Sequence, residues 1–580
     1  MKSDLKNFLS KLYGFIDLSL IAFLVYDFGF TENKETAFQR GLTLMGVTLI
    51  LLIFSIIRRR LSSDHYTRMM FTANIGILIL IIITILISWI AHGFDLVEAI
   101  SGIKTIIEIE LLGYFVLRLM KLIRKLYHYH YNPAILFVGS FALIAFTGAL
   151  LLMLPNATTE SISFIDALFT ATSAVCVTGL IVVDTAHDFT FMGQSIIMVL
   201  FQLGGIGMLT FTSFFAYFFK GGSSFQEGLY VKDFVGIDNI SNVLKTAMRV
   251  VAFTFTLEFI GAIFIYISVL GIPELDNKIF FSIFHAISAF CNAGFSIMSD
   301  GLYDTNLRFV YAFQWMVIVL IIFGGLGYGI VENIMKYLKH IFQNLFNAEK
   351  RTTPVRMVTL NSKIVLVTSA ILLVVGTIFI SVFEYGNVLR EHSSWWGKFT
   401  TAGFTSVTTR TAGFNTVDVS ALSMPSLLFV MLLMWIGASP ASTGGGIKTS
   451  TFALATLNIF AIIRGRQHIE IGTRRVSNDS VRRAFAIMSI SLICIGIAIL
   501  LLLFFEKGFT LIQIGFEVFS AYSTVGLSMG ITGDLSNEGK AVVIAVMFIG
   551  RIGLINLMIG MIRQLSVSFH EYPEEKILIN

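Results

Sequence analysis

The stretch TTRTAGFNT at residues 408–416 decides how this chain is read. It runs hydroxyl and small side chains into Gly413, and Phe414 follows. Three other stretches share the pattern: AVCVTGL at 174–180, AFCNAGF at 289–295 and AYSTVGL at 521–527, with glycines at Gly179, Gly294 and Gly526. Successive glycines stand 115, 119 and 113 residues apart, so one unit recurs four times. Self-similarity at a fixed period is the primary organisational signal of a sequence, although this period is too long for a solenoid. Four Gly-bearing loops in one chain suggest four walls around one axis.

Composition names the solvent. Of the 580 residues 56% are hydrophobic and 13% charged, with 55 Phe. Soluble chains carry about 25% charged residues, so the apolar surface here is expected to meet lipid. A net charge of +5 does not point to nucleic acid, because the basic residues are spread between apolar runs. Three cysteines, Cys176, Cys291 and Cys494, are too few for a disulfide framework and lack zinc-ligand spacing. The beginning, MKSDLKNFLSKL, has no short apolar core before a small-residue cleavage site, so no removed leader is expected.

Twelve apolar runs are long enough, at about 20 residues each, to cross a bilayer. They lie near 11–30, 41–57, 71–91, 98–118, 133–154, 192–217, 249–271, 309–332, 362–383, 424–455 (interrupted), 484–504 and 540–562. Shorter segments at 163–177, 278–291, 393–408 and 511–523 each end at a marked glycine. The expected unit is therefore span, re-entrant half-helix, Gly loop, span. The fold class is an all-α integral membrane protein with four such repeats around a pseudo-four-fold pore, plus a four-helix extension at the amino terminus. The divisions are 1–131 for the accessory bundle, then 132–222, 245–345, 360–465 and 482–570 for the repeats. Basic clusters such as Arg58-Arg59-Arg60, Lys121/Arg124/Lys125 and Arg464/Arg466/Arg474/Arg475 alternate with acidic connections. The positive-inside rule then puts both termini in the cytoplasm and the loops toward the outside.

Irregular backbone at membrane depth is tolerated where it lines a cavity. A dehydrated alkali cation needs several oxygen ligands, and rings of backbone carbonyls supply them. Glycine permits the positive φ that turns carbonyls inward. The candidate ion-binding residues are Val177, Thr178 and Gly179; Asn292, Ala293 and Gly294; Thr411, Ala412 and Gly413; and Thr524, Val525 and Gly526. Close helix packing is the competing use of membrane glycines. An alkali cation would be the only metal, bound at these residues as cargo, and no covalent cofactor is expected.

The second spans carry their own marks, Gly204, Gly324, Gly437 and Gly550, which are expected to let inner helices cross closely. Two copies depart. The third continues GASPASTGGGIKTST, where Pro440 and Gly444-Gly445-Gly446 predict an unwound loop, a candidate gate; a packed Pro kink is the alternative. The fourth places Arg551 in an apolar helix, facing a cavity as a barrier to cations or snorkelling to the interface.

The stretches TATSAVCVTGLIVVDTAHDF, SVTTRTAGFNT, GASPASTGGGIKTST, FSAYSTVGLS and FIGRIG resemble the Trk/Ktr/HKT superfamily of potassium transporters over residues 132–570, within it most closely the KtrB-type membrane subunits of bacterial Ktr systems. The resemblance implies a K⁺ pathway in the plasma membrane, a homodimer, and a cytoplasmic nucleotide-binding RCK (KtrA-like) regulatory ring. It also implies that Gly444, Gly445 and Gly446 form a gating loop and that Arg551 lies beneath the filter. A sodium-coupled or poorly selective monovalent cation pathway is the alternative. An enzyme is not expected, because the ionisable residues within spans do not converge. An alternating-access carrier would show inverted repeats, whereas units of two spans keep one orientation.

The first 131 residues lie outside that resemblance. Arg118, Lys121 and Arg124 share one helical face, as in a voltage sensor, with Asp64, Glu108 and Glu110 as possible counter-charges; cytoplasmic anchoring or a packing bundle explains them as well. Cys176 and Cys291 sit three residues before their loop glycines, as small filler or a redox pair. Arg410 is expected to anchor its loop to a carboxylate or to carbonyls. Glu258, a carboxylate within a span, is a candidate for function or for packing, and His285 has no assigned role.

Overall fold

The computed structural model describes residues 133–219, 243–273, 275, 277–346, 358–472 and 474–553, together with scattered positions between 25 and 90. Two compact units divide the chain: 1–131 with 153–161, and 132–152 with 162–580. In the first, most described positions before residue 91 are helical and 153–161 is a run of turns and bends; Leu51, Leu78 and Ile81 are buried, and the Asn156 amide donates to the Gly29 carbonyl (3.0 Å). The charges at Arg118, Lys121 and Arg124 lie outside the described residues.

The second unit repeats one motif. Its helices are α1 (Pro133–Leu152), α2 (Phe164–Val175), α3 (Phe191–Phe219), α4 (Val243–Val269), α5 (Lys278–Cys291), α6 (Tyr311–Leu326), α7 (Tyr328–Phe346), α8 (Leu360–Phe383), α9 (Trp395–Thr408), α10 (Met424–Trp435), α11 (Thr449–Ile463), α12 (Asn478–Phe505), α13 (Leu511–Ser523) and α14 (Asn537–Ile552). Among the described residues, the only strands are the two-residue pair Glu470–Ile471 and Arg474–Arg475. The protein is an all-α membrane protein. Met248–Val269, Leu360–Phe383 and Asn478–Phe505 are each long and apolar enough to cross a bilayer. Large apolar side chains on their outer faces, such as Phe259 at 69% and Phe504 at 74% exposure, need lipid as their neighbour.

Helices α2, α5, α9 and α13 have 12 to 14 residues, about 20 Å at 1.5 Å per residue, and are too short to span. Each opens on a side-chain cap. Ser163 accepts from the Asp166 amide, Asn277 from Phe280, Ser394 from Trp396 and Thr510 from Gln513. The caps satisfy amides that a helix start leaves without partners. Gln513 returns the bond to Thr510, completing a capping box.

Each half-helix packs on the second helix of the preceding repeat. Phe284 of α5 meets Phe201 of α3 edge-on (5.4 Å), and Trp315 of α6 donates to Thr400 of α9 (3.2 Å). A methyl on Gly515 of α13 would touch Met431 of α10 (3.3 Å). Lys540 of α14 donates to Asp166 of α2 (2.7 Å), joining the fourth repeat to the first. The chain closes on itself.

One expected span is corrected. The run at 309–332 is not one straight helix, because α6 and α7 meet at a 102° bend. Gly327 there has φ +75°, and a Cβ would stand 2.6 Å from the Ala441 carbonyl. The backbone of a neighbouring loop packs closely against the bend. In the third repeat, α10 and α11 are separated by the irregular segment 436–448, bridged by Ile436 and Ile447.

Candidate functional site

The four loop glycines meet in one closed cycle. A Cβ on Gly179 would stand 3.1 Å from Gly294 Cα, and one on Gly294 the same distance from Gly413 Cα. One on Gly413 would stand 3.1 Å from Gly526 Cα, and one on Gly526 3.1 Å from Gly179 Cα. Each would also overlap a carbonyl of the next loop, those of Ala293, Ala412, Val525 and Thr178 in turn. The glycines have φ of +87°, +71°, +80° and +95°. Neither that backbone nor that spacing admits a side chain.

The residue two before each glycine is also left-handed: Val177 (+55°), Asn292 (+59°), Thr411 (+81°) and Thr524 (+49°). Among the described residues only one other non-glycine, Ala441, shares this conformation. Strained backbone of this kind persists only where its surroundings hold it. Thr178, Ala293, Ala412 and Val525 lie between the strained positions, and all are fully buried.

Hydroxyls before each glycine supply the hold. Ser173 accepts from the Gly179 amide (3.1 Å) and Ser520 from the Gly526 amide (3.0 Å). Ser288 donates to the Phe295 carbonyl (2.8 Å) and Thr408 to the Phe414 carbonyl (2.7 Å). Between loops, Asn292 accepts from Thr411 Oγ1 (3.1 Å) in the amide orientation that also lets its nitrogen donate to the Ala289 and Ile321 carbonyls. These hydroxyls carried no role in the sequence reading, although their recurrence five or six residues before each glycine is visible there.

The second row of glycines lies against the half-helix ends. A Cβ on Gly204, Gly324 or Gly550 would overlap the carbonyl of Val175, Phe290 or Tyr522, each four residues before its loop glycine. Gly437 differs. Its Cβ would overlap the Gly445 carbonyl, so at this position the 436–448 segment itself is the neighbour.

That segment lies directly against the loops. A Cβ on Gly444 would overlap the Thr411 hydroxyl, one on Gly445 the Thr524 hydroxyl, and one on Gly446 would stand 3.2 Å from Ser523 Cβ. Ser439 anchors it by donating its hydroxyl to the Gly325 carbonyl (2.7 Å) and its amide to the same oxygen (3.1 Å). Lys448 Nζ donates to the Gly444 carbonyl. Arg551 is 2% exposed. Its guanidinium donates to the Thr443 carbonyl and to the Gly204 carbonyl (3.0 Å), so it ties the segment to α3.

The remaining candidates fall behind this centre. Arg410 donates to Ser369, through its carbonyl (3.4 Å) and hydroxyl (3.2 Å), and meets no carboxylate among the described residues. Glu258 is buried and accepts from Gln202 (2.9 Å), whose carbonyl oxygen accepts from Cys291 (3.1 Å). Cys176 and Cys291 are both free thiols. His285 is buried between Phe281 and Ser296.

Comparison with known proteins agrees with this architecture. Residues 128–568 match the TrkH family, described as cation transport proteins. The chain is 36% identical over 451 residues to the Ktr system potassium uptake protein B of Vibrio alginolyticus, covering 76% of this chain and 93% of that one. It is 34% identical over 471 residues to the potassium/sodium uptake protein NtpJ of Enterococcus hirae, covering 79% and 100%. The crystal structure of the potassium transporter TrkH from Vibrio parahaemolyticus superposes with a TM-score of 0.61 at 18% identity, over 83% of this chain and 97% of that one, and so shares the fold. A match over most of the chain, together with the fold, makes this a membrane transporter and not an enzyme: it belongs to the TrkH family of cation transport proteins.

Proposed function

We propose that this protein takes up K⁺ across the plasma membrane through a filter of backbone carbonyls. The ligands are the carbonyls of residues 177–179, 292–294, 411–413 and 524–526, stacked in layers that replace the water shed by the ion. The C-terminal ends of α2, α5, α9 and α13 aim their partial negative charge at the same axis, which favours a cation. The closed cycle of Gly179, Gly294, Gly413 and Gly526 carries this reading.

Residues Gly444, Gly445 and Gly446 are the gate, resting against Thr411, Thr524 and Ser523. Arg551 holds that gate shut through the Thr443 carbonyl. Opening requires the loop to leave and the guanidinium to release it. By kinship with the Ktr proteins, two copies assemble as a homodimer and a cytoplasmic nucleotide-binding RCK ring drives the opening. Both termini are cytoplasmic.

Rubidium uptake by cells lacking their own potassium systems tests the function. The protein should restore uptake, with K⁺ competing more strongly than Na⁺, and Gly413→Asp should abolish that preference. Equal competition by Na⁺ in the unaltered protein would instead favour a sodium-coupled or poorly selective pathway. The name of the Enterococcus relative supports that second reading.

A further inference from the structure

The four loops are alike at their glycines but not behind them. Nine residues before the glycine stand Thr170, His285, Phe404 and Glu517. Two residues after it stand Ile181, Ser296, Asn415 and Ser528. Only in the second and fourth repeats do these two positions pair. His285 Nδ1 faces the Phe281 carbonyl (2.9 Å) and must carry the proton, so Nε2 accepts from Ser296 Oγ (3.0 Å). Glu517 accepts from Ser528 Oγ, from the Met529 amide (3.1 Å) and from Thr532 Oγ1 (3.0 Å). In both, the serine oxygen takes the amide two residues on, Met298 (3.1 Å) or Gly530 (2.9 Å). One device is built twice from different residues.

The other two loops lack it. Thr170 Oγ1 has no partner, and Phe404 offers none. The outgoing strand of the third loop borders a cavity of about 10 Å³ lined by Thr408, Phe414, Thr416 and Val417, among others, and Thr416 Oγ1 is likewise unpartnered. In the cycle of contacts Gly294 and Gly526 do not touch, so the braced loops face each other across the axis.

We propose that Glu517 and His285 are positioning residues that fix one diagonal pair of filter loops and thereby set K⁺ over Na⁺ discrimination. The proposal rests on the filter reading above. Na⁺ is smaller than K⁺, so its carbonyl ligands must move inward to hold it. Every loop has one hydroxyl tie to its half-helix; a second tie at two opposite corners resists that movement, and the pair without it cannot close the ring alone. Full burial of Glu517 and His285 makes both ties costly to leave unmade.

The test exchanges residues between repeats. Glu517→Thr and His285→Phe install what the unbraced loops carry. Each should lower the K⁺/Na⁺ uptake ratio by about tenfold, the effect of one lost buried hydrogen bond at a charged or strained site. Glu517→Thr combined with Ser528→Ala should be no worse than either alone. Thr170→Val should keep the wild-type ratio. A general loss of folded protein would lower uptake of both ions equally and leave the ratio intact. Ser528→Ala removes a single hydroxyl and serves where Glu517→Thr does not reach the membrane. Wild-type ratios in the braced-loop variants overturn the proposal if Gly413→Asp loses discrimination; if Gly413→Asp keeps it, the filter reading is what fails.

Discussion

The loop ring and the layer of second helices behind it are built from the same four repeats, yet only the ring keeps them equal. Around the ring each glycine would press its Cβ on the next at one distance, 3.1 Å. In the second layer, three glycines pack on half-helix carbonyls and the fourth, Gly437, packs on Gly445 of the inserted segment. Arg551 also has no counterpart in the other three repeats, where Gly205, Gly325 and Ala438 follow the marked glycine. On the proposed reading, the ring surrounds an ion with like backbone carbonyls. A gate needs one side that differs, so that one element can move without disturbing the rest.

Breaking the ring should have the largest effect. Alanine at Gly179, Gly294, Gly413 or Gly526 puts a methyl on a neighbouring carbonyl and forces a left-handed φ that costs an L-residue about 1–2 kcal/mol. Rubidium uptake should fall tenfold or more at every one of the four positions; a tolerated alanine at any of them would make the ring unequal. The second layer should split next. Gly324→Leu and Gly550→Leu push on the ends of α5 and α13 and should abolish selective uptake. Gly437→Ala pushes on the Gly445 carbonyl instead and should change flux while the K⁺/Na⁺ ratio stays. If all three lose selectivity alike, the distinction between the layers is wrong.

Arg551→Ala removes the donors to the Thr443 and Gly204 carbonyls and should raise uptake a few-fold in the absence of any regulator. Unchanged or lower uptake would make the arginine a structural element of α14. The smallest effect belongs to the seam. Lys540→Met leaves Asp166 with only the Ser163 hydroxyl as a side-chain partner at the closure between the fourth and first repeats. It should lower the melting temperature of the purified protein by about 1 °C per kcal/mol lost, without altering the K⁺/Na⁺ ratio.

Much of the ring was legible because glycine is the only residue type that its backbone admits, so the period survived intact in the letters. The half-helices were legible for a related reason: each is apolar, opens on a capping residue and stops short of a span. The bend at Gly327 was not. The glycines of GGLGYG weaken a helix there without saying how far it turns, and the Ala441 carbonyl packed against the bend lies more than a hundred residues away. The partners of Arg551 were hidden in the same way, since they depend on where 436–448 comes to rest. The braces were hidden differently. His285 and Glu517 are unlike as letters and become equivalent only when each is counted from its glycine and found against a serine.

Anomalous scattering from Rb⁺ or Tl⁺ bound to the purified protein tests the central claim most directly. The account predicts ion density on the axis enclosed by Gly179, Gly294, Gly413 and Gly526, with oxygen ligands from all four loops. Density confined to another part of the membrane region, with that axis empty at saturating ion, would contradict it.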